Sequence, residues 1–456
     1  MSASSQALNT YLPISLYQKR MIDLATRHPP EFIGNLQKII RLAFRVRPGV
    51  PVRTLRRAYD KLVARHDSLR LRFVEVAGDW KAEIRPNHPH GLLVEDLRHL
   101  NPTEQETVIR ERADQPMSAL SSALFEMYLM QCGNGGDVVI MRLQHGIGDG
   151  YSAAILLEEL MKAVLMMPLG PKPPGHAEFM RIREKGEAHR GQEKDKYWQS
   201  KLLPPPKDLN IGRTAKGLPQ QSIQTMGDTR RLDHFMSAAH FTRLEMLSRK
   251  TGVSPYSYLL AAFAETICAM GSGTEVLLSS MVGRSDKALA GFVGAEAQYL
   301  DTRYSVDPTD LAGRAAWFSQ RLTEGAEHLP SRVFGNADHQ IAQSYKDAGR
   351  SLMRFGGNVI TPSGKFANSP FKGIFGEAMT GTAFFGSVSF EQVHLPKRSE
   401  TAYELIIVLN KLDTGLTASL VADKFGYSEP ELAEIGEGIR HRVEECFEKQ
   451  GIAGLA

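Results

Sequence analysis

The 456-residue chain is poor in cysteine: its three thiols, Cys132, Cys268 and Cys446, lie far apart and form no CxxC pair. That spacing indicates neither a disulfide framework nor a thiolate zinc site. Long hydrophobic runs are missing too. The longest, "YLLAAFAETICAM", is interrupted by Glu265, so no membrane span is expected. The opening "MSASSQALNTYLPISLYQKR" lacks a basic patch followed by an apolar core, so no secretory leader is expected and the cytoplasm is the expected location. An excess of one charge sign is also lacking, with 55 basic against 51 acidic side chains and a net charge of +4. There is no internal repeat and no long low-complexity tract.

What is present is the composition of a globular protein, 42% hydrophobic and 23% charged, long enough for two or three cores or one double-lobed unit. Charge is unevenly spread. Between Arg41 and Arg72 there are ten Lys or Arg and two acids, Asp60 and Asp67, so this segment carries +8 and the remainder −4. Such a face can be merely solvated or can receive an acidic partner. Nucleic acid ranks last, because no zinc-finger, RRM or bZIP pattern and no interleaved aromatic platform accompanies the charges.

Periodicity predicts mixed helix and strand. "VRTLRRAYDKLVARH" places Leu55, Tyr59 and Leu62 on one helical face among Arg53, Arg56, Arg57 and Lys61, and "LRLRFVEV" alternates like a strand. Asp137 to Leu143 reads as a strand and "YSAAILLEELMKAV" as a helix. Ser254 and Pro255 are expected as N-cap and first residue of a helix through "YSYLLAAFAETICAM". Strands follow at "EVLLSSMV", "TAFFGSVSFEQV", "AYELIIVLN" and "LTASLVAD", then a closing helix near "EPELAEIGEGIRHRVEECF". The proline-rich "MPLGPKPPG" and "LLPPPKDLNIG" are the boundary candidates. The fold class expected is α/β (α+β) in two lobes: residues 1–175, a connection over 176–215, and residues 216–456.

The stretch "LQHGIGDGYSAAILLEEL", Leu143 to Leu160, sets His145 and Asp149 among three glycines ahead of an apolar helix. A dinucleotide-binding turn fails, since the third glycine comes one position early and no strand ending in an acid follows. A P-loop fails for want of its GK[ST] ending. A metal site is disfavoured by the glycines, which oppose a helix presenting both side chains, and by the lack of further ligands nearby. A satisfied polar loop remains the plain alternative.

The segment His145-Gly146-Ile147-Gly148-Asp149-Gly150 resembles the second half of HHxxxDG, the signature of nonribosomal peptide synthetase condensation domains in the chloramphenicol acetyltransferase superfamily. The flanks extend the resemblance. "DGYSAAILLEEL" is similar to the family's DG-aromatic-Ser and helix, "LPISLYQKRM" to its opening motif, and "LVARHDSLRLRF" to RHxxLRxxF. "KYWQSKL", "GVSPYSYLLAAFA" and "VLLSSMVGRSDKALAGFVGAEAQYLDTR" resemble later motifs in the expected order. The similarity spans nearly the whole chain and implies a free-standing condensation enzyme. One position departs: the family's first histidine is Gln144, which strand alternation turns into the lobe if His145 faces a cavity, where an amide can replace the imidazole hydrogen bond.

The resemblance implies two lobes in a V with a central tunnel and a strand-exchanging crossover within Gly376 to Pro396. It implies an acyl thioester on a carrier protein's phosphopantetheine arm as donor, with no permanently bound cofactor. An amine or alcohol attacks the thioester and must lose a proton, which imidazole, with an ordinary pKa of ~6.5, suits near neutrality. His145 is therefore the candidate general base, or else positions the acceptor and stabilises charge. Asp149 either orients His145 or anchors the loop by pairing with an arginine; the resemblance favours the anchor, with Arg284 as partner. Gly150 leaves room for the substrate arm, and the Arg41 to Arg72 segment becomes a candidate carrier-docking surface. The expected function is chain release onto a small soluble acceptor, as ester or amide. The alternatives are a CoA-dependent acyltransferase of the same fold and a catalytically silent scaffold of an assembly line.

Overall fold

The computed structural model describes residues 11–32, 39–220, 227–282, 287–296, 298–306, 309–328, 336–352, 354–360, 382–393, 395, 400–401, 403–412 and 415–452. The first half of the chain runs β1 (Tyr11–Leu12), α1 (Leu16–Arg27), β2 (Ile39–Arg47), α2 (Val52–Arg65), β3 (Leu71–Val76), β4 (Asp79–Ile84), β5 (Leu93–Asp96), α3 (Pro102–Asp114), β6 (Phe125–Gln131), β7 (Asp137–Gln144), α4 (Gly150–Val164) and α5 (His176–Leu202). Then come β8 (Gly227–Leu232), α6 (Ala238–Thr251), α7 (Pro255–Met270), β9 (Glu275–Val282), β10 (Gln298–Ser305), α8 (Leu311–Glu327), α9 (Asn336–Asp347) and β11 (Phe355–Ile360). The last elements are β12 (Thr382–Phe385), β13 (Val388–Gln392), β14 (Glu400–Thr401), β15 (Leu405–Leu412), β16 (Gly415–Asp423) and α10 (Glu429–Lys449).

Two compact units result. Unit 1 comprises the described residues of Met1–Gly186, Asp286–Glu296 and Lys365–Pro396; unit 2 comprises those of Glu187–Ser285, Ala297–Gly364 and Lys397–Ala456. This differs from the expected lobes in two respects. The proline-rich stretches flank α5 without breaking it, so the division falls within that helix. The span 216–456 also gives Asp286–Glu296 to unit 1, in addition to β12 and β13, which lie within the stretch Gly376 to Pro396 expected to exchange. Val293 is buried in the unit 1 core, Phe292 stacks on Phe179 at 4.8 Å, and β13 pairs antiparallel with β2.

Unit 1 carries a six-stranded sheet in the order β12-β13-β2-β7-β6-β5 and a three-stranded sheet, β1-β4-β3. Within β7 the run 138–141 is continuously apolar because both faces of the strand are buried. Val139, Met141 and Leu143 join Leu55, Tyr59 and Leu62 of α2 and Ile155, Leu156 and Leu160 of α4. On the other face Val138 and Ile140 meet Ile109 and Ala113 of α3. Helices α2 and α4 are also clamped by charge. Arg65 Nε donates to both oxygens of Glu159 at 3.1 and 2.9 Å, and His66 Nε2 lies 2.8 Å from Glu159 Oε2. Burial opposes the Glu159 charge, but these partners hold its pKa below the ordinary value.

Unit 2 holds the sheet β10-β9-β11-β15-β16-β8-β14, with β11 parallel to both β9 and β15. Helices α6, α7, α8 and α10 share one core with it, through Leu244, Phe263, Phe318 and Ile439 against Leu278, Phe355 and Leu405. Helix α7 begins as expected: Ser254 accepts from the Ser257 amide at 3.1 Å, with Pro255 in the first turn. The connection 208–211 is fixed to unit 2 by buried Arg354, which pairs with Asp208 at 2.7 Å and Glu404 at 3.1 Å and donates to the Leu209 and Ile211 carbonyls.

Two histidines of unit 1 are held neutral. His88 donates from Nε2 to the Phe125 carbonyl at 2.8 Å, edge-on to Tyr59, and burial pushes its pKa down to about 4. Burial likewise lowers His176, which donates to the Pro13 carbonyl at 3.1 Å. The unfolded chain takes up protons at these positions below pH ~6.5, whereas the folded chain resists until lower pH. Stability should therefore fall as pH drops from about 6.5 toward 4, with roughly 1–3 kcal/mol of the loss due to His88. Urea unfolding across that window should give a shallower pH dependence for His88→Gln than for the parent protein. Identical slopes would contradict the assignment.

Candidate functional site

The site is a strand, a turn and a helix. Strand β7 ends at Gln144, whose amide donates to the Leu124 carbonyl at 2.8 Å, and His145–Ile147 form a single 3-10 turn before α4 starts. Gln144 is buried, and its side-chain oxygen accepts from the Gly146 amide. The amide side chain thus closes the turn that presents His145. His145 is half-buried, and its ring meets Tyr17 of α1 edge-on, with centroids 6.1 Å apart and planes at 65°.

Asp149 is the N-cap of α4. Its Oδ1 accepts from the Ser152 amide at 2.8 Å and the Ser152 hydroxyl at 2.9 Å, and its Oδ2 accepts from the Glu296 amide at 3.1 Å. A carboxylate only 3% exposed needs such donors, and its place at a helix N-terminus adds a favourable dipole interaction. Ser152 continues the tie, because its hydroxyl accepts from the Gly294 amide at 3.1 Å. Glu296 is in turn paired with Arg183 at 2.9 Å, and the Val293 carbonyl accepts from Ser68 at 2.5 Å. Segment 292–296 is therefore stitched to the start of α4. Arg284, the expected partner of Asp149, lies outside the described residues.

The three glycines differ in what they permit. A Cβ on Gly146 would lie 2.7 Å from Gln144 Oε1, and one on Gly148 2.2 Å from Leu143 Cδ2; at Gly150 it would meet nothing within 4 Å. Gly146 and Gly148 are demanded by the fold itself, while Gly150 is exposed and faces open space.

Residue-by-residue reading missed Gln18, only 3% exposed. Its side-chain oxygen accepts from the Ser15 amide at 2.8 Å and its side-chain nitrogen donates to the Gly146 carbonyl at 3.0 Å. The Ser-x-x-Gln spacing of a capping box was a readable signal for the first bond; nothing local signals the second. Gly294 and Glu296, distant in sequence from the turn they join, were missed for the same reason.

The basic segment resolves into two sets. Arg41 pairs with Asp114, Arg47 with Glu391, Arg65 with Glu159 and Arg72 with Glu83. Arg45 and Arg70 donate to backbone carbonyls of Gly136 and Val63. Arg53, Arg56, Arg57 and Lys61 remain on the exposed face of α2, beside Asp60. Among the described residues no group of three or more His, Cys, Asp or Glu could hold a metal ion, and no described helix is long and apolar enough to cross a membrane.

Substitution separates the glycines. Gly146→Ala and Gly148→Ala should each cost roughly 1–3 kcal/mol by overpacking, whereas Gly150→Ala should stay within about 0.5 kcal/mol of the parent. Chemical denaturation of the three variants measures this, and a loss at Gly150 equal to the others would refute the distinction.

Comparison with known proteins gives the same picture. The family model described as "Condensation domain" matches residues 9–449. A linear gramicidin synthase polypeptide of Brevibacillus parabrevis is 25% identical over 318 residues, which is 66% of this chain and 4% of that protein; the chain thus spans a small part of the synthases it matches. The SgcC5 protein of Streptomyces globisporus, solved with (R)-(-)-1-(2-naphthyl)-1,2-ethanediol and sucrose, superposes with a TM-score of 0.70 at 18% identity, covering 95% of this chain and 99% of that one. The epimerization domain from the third module of tyrocidine synthetase B superposes with a TM-score of 0.69 at 13% identity over 97% and 98% of the two chains. The last two likenesses establish the fold, and the match over residues 9–449 establishes descent: the chain belongs to the condensation-domain family.

Proposed function

We propose that this protein is an acyltransferase that condenses an acyl thioester, held on the phosphopantetheine arm of a carrier protein, with an amine or hydroxyl of a small soluble acceptor. The observation that carries this reading is His145. It is a half-buried imidazole on the 3-10 turn that follows β7, beside a carboxylate that accepts from backbone and serine donors. A general base needs one reachable proton acceptor whose orientation is fixed, and no covalent nucleophile is required when both substrates are held together.

In the reaction, the acceptor nitrogen or oxygen attacks the thioester carbonyl and His145 takes its proton. Collapse of the tetrahedral intermediate breaks the carbon–sulfur bond, and the thiolate of the arm takes the proton that His145 accepted, which returns the imidazole to its starting state. Asp149 acts at one remove, as an anchor of the turn. The open space at Gly150 leaves room for an approaching arm. Hydroxyl acceptors gain support from the diol bound in the SgcC5 structure. Chain release, forming an ester or amide, is the form of the reaction we favour.

The carrier's docking surface in this reading is the exposed face of α2, where Arg53, Arg56, Arg57 and Lys61 are left without an ion-pair partner among the described residues. Carriers with acidic surfaces would be steered there by charge complementarity, at a rate that falls with salt.

Intact-mass detection of carrier unloading, with a panel of amines and alcohols, tests the reaction. His145→Ala should slow it about 10²- to 10⁴-fold; unchanged product formation would remove His145 from the mechanism and favour the scaffold role. Faster turnover of an acyl-CoA than of the same acyl group on a carrier would favour the CoA-dependent alternative. Reversing Arg53, Arg56, Arg57 and Lys61 to Glu should raise the KM for the loaded carrier about tenfold or more. An unchanged KM would place docking elsewhere.

A further inference from the structure

We infer that Gln18 is a positioning residue for His145, and that α1 acts as a strut setting the imidazole through the Gly146 carbonyl. This rests on the role proposed for His145, but its structural part stands without it. The Gln18 side chain is fixed at both ends. Its oxygen closes a capping box with Ser15, whose hydroxyl accepts from the Gln18 amide at 3.2 Å. Its nitrogen spans 128 positions of sequence to the carbonyl of the residue following His145, at 3.0 Å. Gln18 is almost wholly buried, so this amide cannot exchange its partners for water without cost.

The neighbours make the bond directional. Gly146 packs so closely under Gln144 and Phe73 that their atoms would lie 2.7 and 3.2 Å from an added Cβ, and its own amide is already held by Gln144. The turn is thus pinned by two glutamines, one on its amide and one on its carbonyl. Tyr17, the residue before Gln18, sets an aromatic edge against the His145 ring. One helical turn therefore touches both the backbone and the ring of the proposed base. Group orientation matters steeply in such transfers, where a misplacement of about 1 Å costs on the order of 10²-fold.

The two jobs of Gln18 can be separated. Gln18→Glu retains an acceptor for the Ser15 amide, and Glu is itself a natural capping-box residue, but it has no donor for the Gly146 carbonyl. Ser15→Ala does the reverse, weakening the cap while leaving the Gly146 bond. The readout that needs no substrate is the His145 imidazole C–H signal in selectively labelled protein, assigned by its loss in His145→Ala, and followed through a pH titration.

Gln18→Glu should move that signal and its titration midpoint and lower kcat about 10- to 100-fold, with KM changed less than about threefold. Ser15→Ala should lower the thermal midpoint while leaving the His145 signal in place. Gln18→Met, which removes both bonds without adding a charge, serves if Gln18→Glu does not fold and should displace the His145 signal likewise. A folded Gln18→Glu or Gln18→Met protein with an unmoved His145 titration overturns the inference. If the signal moves but no acyl transfer is found in the parent protein, the positioning stands and the proposed reaction falls.

Discussion

The buried carboxylate of Asp149 is the contact on which the rest of the site depends. One side chain caps α4, fixes Ser152 and accepts from the Glu296 amide, so residues 147 positions apart in sequence share a single charge. The helix starts where it does because this acceptor satisfies donors that helical geometry leaves open. Segment 292–296 lies in unit 1 because its amides find partners there and because Phe292 and Val293 fill apolar space against Phe179 and the unit 1 core. Removing both carboxylate oxygens would leave buried amides unpaired at both ends of the tie.

That commitment divides the labour between the two polar residues of HxxxDG. Asp149 spends its oxygens on structure, and His145, held by its turn and less buried, is the residue to which the proposed reaction assigns the proton transfer. Gln144 completes the scheme. Where the family has a histidine, this chain has an amide whose oxygen accepts from the Gly146 amide, so the residue at this position hydrogen-bonds the turn that carries His145. The fold alone does not dictate the reaction, since a domain named for epimerization shares it; the function has to be argued from the side chains at the turn.

Much of the fold was legible in sequence because its signals are local. Leu55, Tyr59 and Leu62 at helical spacing gave α2, Ser254 with Pro255 gave the start of α7, and the apolar run before Gln144 gave β7. His145, Asp149 and Gly150 stood out for their setting between strand and helix. What was not legible depends on contacts distant in sequence. Proline-rich flanks suggested a connection over 176–215, but α5 runs through most of it as one helix. Nothing near Val293 announces that it packs into unit 1, and nothing near Gln18 announces the Gly146 carbonyl. The basic segment shows the same limit: charge counting found ten cations, and only packing revealed which four are exposed without an ion-pair partner among the described residues.

The central claim is that Asp149 anchors the site and does not drive the chemistry of His145. The most direct measurement combines amide hydrogen exchange at Ser152 and Glu296 with the acyl-transfer rate in Asp149→Ala, which removes both acceptor oxygens, taken at a temperature where the variant is folded. The account predicts sharply reduced protection at both amides and lower stability, with catalysis impaired only as far as the turn loosens. Intact protection and unchanged stability, together with a rate loss approaching the ~10⁴-fold seen when a triad carboxylate is neutralised, would contradict it.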